Sequence, residues 1–204
     1  MIPVVNRGEG KAVTSTLGET ERPLRADARR NRERILQSAR AAFAESGDEV
    51  QIDDVARHAG VGVGTVYRHF PTKQALVAEL VRQTFRLFTE RAREALEADT
   101  EPFALIEGLM RRIAETAAGD AGVQYALATS EGPAWTESQA EQDELIAVIA
   151  QLVERARRAG AIRPDIEAID IGMLICGVCC AMGPRPGFNW RRHVDLVIDT
   201  LRVR

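Results

Sequence analysis

The chain of 204 residues predicts an all-α fold. An N-terminal three-helix unit with a helix-turn-helix precedes a larger C-terminal helical domain. Three observations lead there. Apolar residues recur at helical spacing in one segment after another. Glycine and proline punctuate the segments. No stretch alternates apolar and polar residues as a half-buried strand would, and there is no internal repeat.

The elements follow in order. Residues 1–21 are polar and glycine-bearing, and are expected to form a disordered tail. From about Ala26 to Glu45, the residues Ile35, Leu36, Ala39, Ala42 and Phe43 fall at helical spacing, and Ser46-Gly47-Asp48 ends that helix. Residues 52–58 and 63–69 read as two short helices. Thr72 is a suitable N-cap for a long helix to about Ala98, with Leu76, Leu80, Leu87 and Phe88 inside. Pro102 opens a fifth helix to about Ala118, and a short sixth runs from Gly122 to Thr129. "SEGPAWTES" reads as a loop. Gln139 to Ala159 is amphipathic through Leu145, Ile146, Ile149, Leu152 and Val153. In "GAIRPD", Gly160 is the expected C-cap and Pro164 the expected opening of the next helix, which runs to Met182. "GPRPGFN" breaks the chain, and Trp190 to Val203 is the last helix. The division is therefore a tail (1–21), a helix-turn-helix domain (22–71) and a second helical domain (72–204).

Bulk properties exclude several classes. Hydrophobic residues make up 45%, enough for a real core. The net charge is only −3, so a polyanionic partner needs a local patch. Lys11 and Lys73 are the only lysines, so arginine carries nearly all the positive charge. Cys176, Cys179 and Cys180 form no disulfide framework, which points to a reducing cytoplasm. The first twenty residues lack the apolar core of a signal peptide. "IGMLICGVCCAMG" is too short to span a bilayer, so no membrane partner is expected. There are three histidines, His58, His69 and His193, and no nucleophile elbow, phosphate loop or metal-ligand spacing. His193 and Asp195 share a terminal helix with no nucleophile beside them. No catalysis, cofactor or resident metal is expected.

The chemistry concentrates in "IDDVARHAGVGVGTVYRHF", residues 52–70. Two helices can cross closely there because Ala56 is small. The sharp turn needs a residue at ease at positive φ, and Gly60 supplies it. Gly62 takes the N-cap of the second helix. Gly64 lets that helix approach a DNA backbone closely. Val66 is expected to be buried, which leaves Val63, Gly64, Thr65, Tyr67 and Arg68 outward. In the "PTKQAL" that follows, a helix N-terminus and Lys73 suit a phosphate. Upstream, Arg22 to Arg40 holds seven arginines against Asp27 and Glu33, a net of +5 that leaves about −8 for the rest of the chain. A basic arm beside a helix-turn-helix, on an acidic body, is the charge distribution expected of a DNA-binding protein. A non-specific DNA-organising protein would lack that acidic body.

"RERILQSARAAFAESG" followed by "IDDVARHAGVGVGTVYRHFPTKQAL" resembles the DNA-binding domain of the TetR family of transcriptional regulators over about residues 29 to 80. The remainder is similar to that family in layout. The resemblance implies a cytoplasmic homodimer joined through its last two helices. It implies repression at a palindromic double-stranded operator, and release by a small molecule bound in the C-terminal domain. It also implies that Thr65, Tyr67, His69 and Lys73 contact phosphates or position the reading helix, while Val63, Gly64 and Arg68 face base edges. Gln51 and Arg29 complete the DNA-facing set.

Two capping hydroxyls common in the family are missing, at Gly62 and Gln51, and their loss is expected to cost local stability. Val63 cannot hydrogen bond but can meet a thymine methyl group, which leaves Arg68 as the main polar reader. Met110, Ile113, Tyr125, Trp135, Ile149, Met173 and Cys176 are the candidate effector-pocket walls, with Trp135 as a loop lid. The acidic "AWTESQAEQDE" disfavours an anionic effector nearby. Cys176, Cys179 and Cys180 share one helical face. They read either as buried small hydrophobes or as a thiol-redox or metal sensor.

Overall fold

The computed structural model describes residues 17–128, 132–182 and 188–203. Residues 1–16 of the expected tail, part of the "SEGPAWTES" loop and most of the "GPRPGFN" break lie outside the described residues. Among the described residues there are ten α-helices and a single isolated bridge between extended residues.

The first helix, α1 (Leu17–Ser46), begins earlier than the spacing predicts, so residues 17–21 of the expected tail are helical. Its C-terminal half buries Ile35, Leu36, Ala39, Ala42 and Phe43. A 3-10 turn, Gly47–Glu49, leads to α2 (Ile52–Ala59), which buries Ile52, Val55, Ala56 and Ala59. The missing hydroxyl before α2 is partly replaced: the Asp54 carboxylate accepts from the Gln51 backbone N–H at 3.3 Å. Gly60 takes φ +62° and turns the chain into α3 (Val63–His69). Gly62 is the extended N-cap of α3, and Val66 is its only buried residue. Phe70, just beyond, is also buried and closes this small core.

The long helix α4 (Lys73–Glu97) is the spine. The Thr72 hydroxyl caps it by accepting from the Ala75 N–H at 3.0 Å. It packs against α1 and against four helices of the second domain. These are α5 (Pro102–Gly119), α6 (Ala121–Ala128), the four-residue α7 (Pro133–Thr136) and α8 (Gln139–Arg158). Pro102 occupies the first turn of α5, where its missing N–H costs nothing. Trp135, expected in a loop, lies on α7. Gly160 is left-handed at φ +65° just past α8.

Pro164 does not open a helix. Ile162 instead pairs as an antiparallel bridge with Arg202, and the Arg163 N–H donates to the Leu201 carbonyl at 3.0 Å. This tie holds the connection extended until α9 (Ala168–Ala181), where the Asp170 carboxylate accepts from the Glu167 N–H at 2.8 Å. Asn189 caps α10 (Trp190–Thr200), its side chain accepting from the Arg192 N–H at 3.1 Å. No described helix is long and apolar enough to cross a membrane.

Candidate nucleic-acid interface and interior pocket

The helix α3 presents one continuous outer face. Val63, Gly64, Tyr67 and Arg68 are exposed, and Tyr67 leaves 48% of its surface open. Thr65 is half-buried and its hydroxyl accepts from the Arg68 guanidinium at 2.9 Å. Arg68 also donates from Nε to the Gly64 carbonyl at 3.3 Å, so it lies folded back along the helix. To reach a base edge it must exchange these two contacts for the base. His69 is half-buried with its ring 6.4 Å from Phe70. His58 is exposed on α2, its Nδ1 2.8 Å from the Asp54 carbonyl. Lys73 holds its ammonium 5.5 Å from the centre of the Phe43 ring, at the start of α4. Gln51 is exposed at the start of α2, and Arg29 is exposed on α1, 3.8 Å from Glu33.

The arginine arm divides by function. Arg29, Arg30 and Arg34 are exposed, but Arg34, like the half-buried Arg32 and Arg40, is tied to another helix. Arg34 donates to the carbonyl of Ala59 at 2.5 Å and to that of Gly60 at 3.4 Å, satisfying acceptors at the end of α2. Arg32 lies over the Phe70 ring and meets Glu79 at 3.0 Å. The buried carboxylate of Glu79 also takes Arg82 at 3.1 Å and Arg86 at 3.8 Å. Those two arginines continue to Glu137, beyond α7, and to Glu141 on α8. Arg40 joins α1 to Gln83 of α4 at 2.9 Å and to Asp120 before α6 at 3.3 Å. Beside it α6 comes so close that a Cβ on Gly122 would stand 2.8 Å from that of Arg40. Charge alone does not separate these tied arginines from the others of α1. Their partners are distant in sequence, so no local spacing marks them.

A cavity of about 260 Å³ lies within the second domain. Ile113, Trp135, Ile149, Met173 and Cys176 line it, together with Phe85 and Phe88 of α4. Two nominated walls do not. Met110 is fully buried core, and Tyr125 stacks on Phe43 of α1 at 4.6 Å between ring centres. Trp135 meets Phe85 edge-on at 5.1 Å. Gln142, not nominated from the sequence, brings an amide to the wall. Among the described residues no charged side chain lines the cavity.

Burial pushes the thiols of Cys176 and Cys179 up to about 12, so both stay protonated near neutral pH. A thiolate is the nucleophile and the metal ligand, so this setting disfavours a rapid redox switch or a soft-metal site. The sulfurs of Cys176 and Cys180 are 4.0 Å apart. Among the described residues no cluster of histidine, cysteine and carboxylates could hold a metal ion.

A family model described as bacterial regulatory proteins, tetR family, matches residues 35–80. A second, described as transcriptional regulator SbtR-like, C-terminal domain, matches residues 101–203. The chain belongs to the TetR family. A TetR transcription regulatory protein from Mycobacterium vanbaalenii is similar over 89% of this chain and 100% of its own, at 37% identity and a TM-score of 0.62. A TetR regulator from Streptomyces coelicolor is 30% identical over 84% of this chain and 98% of its own, with a TM-score of 0.58. FadR from Bacillus subtilis, solved with stearoyl-CoA, shares the fold at 18% identity, over 83% of this chain and 97% of its own, with a TM-score of 0.71. An HTH-type transcriptional regulator of Staphylococcus aureus is 36% identical over 66 residues, 32% of this chain and 36% of that protein. The chain thus spans about a third of that regulator. The first TetR model takes in the buried half of α1, all of α2 and α3, and the start of α4. The second covers α5 to α10.

Proposed function

We propose that this TetR-family regulator is a repressor that binds a palindromic operator as a homodimer and is released by a small effector. One observation carries the reading. Three residues separate the end of α3 from the start of α4, and twelve residues after that start its Phe85 forms a wall of the apolar cavity. An occupant that shifts α4 therefore moves the base of the reading head. A ligand acts only through its differential affinity for two states, and a single rigid helix shared by both sites supplies that difference.

The homodimer is supported by apolar surface on the last two helices. Ile169 and Met173 on α9 and Leu196 on α10 leave about half or more of their surface exposed. A large apolar patch on a polar body marks an interaction site. The same helix α9 walls the cavity, so dimer geometry and ligand occupancy are mechanically linked. Two α3 helices would enter successive major grooves, with half-sites one helical turn of DNA or somewhat more apart. Val63, Gly64 and Arg68 would face the bases, with Thr65, Tyr67, His69, Lys73, Gln51 and Arg29 on the backbone or positioning α3.

Selection of bound sequences from random DNA tests this, followed by salt titration on the winning site. A palindromic winner with a steep salt slope is expected. Enrichment of a single unpaired half-site refutes the dimer, and no enrichment refutes sequence-specific repression.

A further inference from the structure

The cavity differs from a generic apolar gap in what its wall permits. Among the described residues its lining carries no group that is charged near neutral pH: aliphatic side chains, the Met173 thioether, three aromatic rings, two protonated thiols and one amide. The amide is already oriented. Gln142 Nε2 donates to the Trp135 carbonyl at 2.8 Å and to the Ser138 hydroxyl at 3.0 Å. Those two bonds use both amide hydrogens and leave Oε1 as an acceptor. The Ser138 hydroxyl in turn donates to the same Trp135 carbonyl at 2.8 Å. Trp135, Ser138 and Gln142 are thus locked together, with the indole held edge-on to Phe85.

The two α4 arginines on either side of Phe85 are paired elsewhere. Arg82 pairs with Glu79 and Glu137, and Arg86 with Glu79 and Glu141. None of these lines the cavity. An anionic or cationic ligand group would lose its hydration there without gaining a counter-ion. The volume, about 260 Å³, falls just below the usual range for drug-sized ligands, roughly 300–1,000 Å³.

We infer that the effector of this cavity is a small, uncharged, ring-containing molecule whose hydroxyl or N–H donates to Gln142 Oε1, and that charged analogues of the same shape are rejected. This inference rests on the effector reading above. The rings of Phe85, Phe88 and Trp135 take the flat apolar body, and Ile113 and Ile149 close its far side. The single acceptor sets the polarity of the one hydrogen bond. A donor is matched there, whereas a ligand presenting only an acceptor leaves Gln142 Oε1 without a partner.

The test uses one scaffold with four substituents: 2-naphthol, naphthalene, 2-naphthoate and 2-naphthylmethylammonium. Binding to the full-length, DNA-free protein is measured by calorimetry. 2-Naphthol is expected to bind at least tenfold more tightly than either charged analogue, and more tightly than naphthalene. Gln142→Leu is expected to narrow the gap between 2-naphthol and naphthalene. Cys176→Phe, which fills the cavity from α9, is expected to weaken all the binding. Equal binding of a charged analogue overturns the inference. So does failure of all four probes, or unchanged binding in both variants. Operator release is measured separately with 2-naphthol. Selective binding without release leaves the ligand class standing and refutes release by an effector. Release by the charged analogues alone supports release and refutes the class.

Discussion

Among the described residues three glycines have positive φ, and two of them form a matched pair. Gly60 has φ +62° and Gly160 has φ +65°, so alanine suffers similar backbone strain at either. Their surroundings differ. A Cβ at Gly160 meets nothing within 4 Å, whereas at Gly60 it stands 3.0 Å from the Arg34 Nη2 that donates to the Ala59 carbonyl. Left-handed backbone costs a non-glycine residue roughly 1–2 kcal/mol. Reduced freedom of the unfolded chain returns about 0.4–1 kcal/mol. Gly160→Ala should therefore cost about 1 kcal/mol. Gly60→Ala adds displacement of a charge-assisted hydrogen bond, worth about 1.5 kcal/mol at the low end for a part-exposed group. Its total should be about 2–3 kcal/mol. Urea denaturation of both variants, with and without Arg34→Ala, measures this. In the Arg34→Ala background the two glycine substitutions should cost the same. A Gly60→Ala loss no larger than that of Gly160→Ala refutes the reasoning. So does an excess that survives removal of Arg34.

Other outcomes follow from the same geometry. Lys73→Ala should weaken binding to every DNA sequence and lower the salt slope by about one unit, read by salt-dependent anisotropy. Tyr67→Phe should weaken all sites without changing that slope. Arg68→Ala should flatten preference at one base pair by roughly 1–3 kcal/mol in a competition assay, and uniform loss at all sequences would contradict its reading role. Glu79→Gln should cost about 1–3 kcal/mol in denaturation, because Arg32 and Arg82 lose a charged acceptor. The raised thiols make stability pH-dependent. The unfolded thiols deprotonate near 9.0, while Cys176 and Cys179 hold their protons to about 12 in the fold. The folded state then binds more protons, so their contribution is full below pH 9 and falls as pH rises towards 12. Urea midpoints from pH 7 to 10 should fall more steeply for the native chain than for a Cys176→Ala/Cys179→Ala variant.

The sequence makes local devices legible because each is written within a few residues. Gly60 at positive φ, Gly62 and Thr72 as caps, Pro102 in a first turn and Val66 as the buried residue of α3 all follow from neighbours. Partnerships across the chain are not written that way. Arg34 looks like any other arginine until α2 ends against it. Tyr125 has the character of a pocket wall but finds Phe43 first. Met110 is equally apolar and lies on the interior face of α5, so hydropathy cannot tell core from cavity. Pro164 has the usual helix-opening signature, but Arg202 lies close enough to pair with Ile162 and keeps that connection extended. Gln142 carries a polar group on an amphipathic helix, which ordinarily means solvent; its turn inward depends on Ser138 and Trp135.

The carboxylate of Glu79 gives the molecule a shared currency. Arg82 and Arg86 each divide their charge between this buried acceptor beneath the reading head and a glutamate beside the cavity. Whatever draws Glu137 or Glu141 away returns those guanidinium groups to Glu79, where they compete with Arg32 of α1. Mobile ions enter the same competition, since both arginines are partly open to solvent. Salt therefore enters the joint between α1, α4 and α8, apart from any effect it has at the outer face of α3.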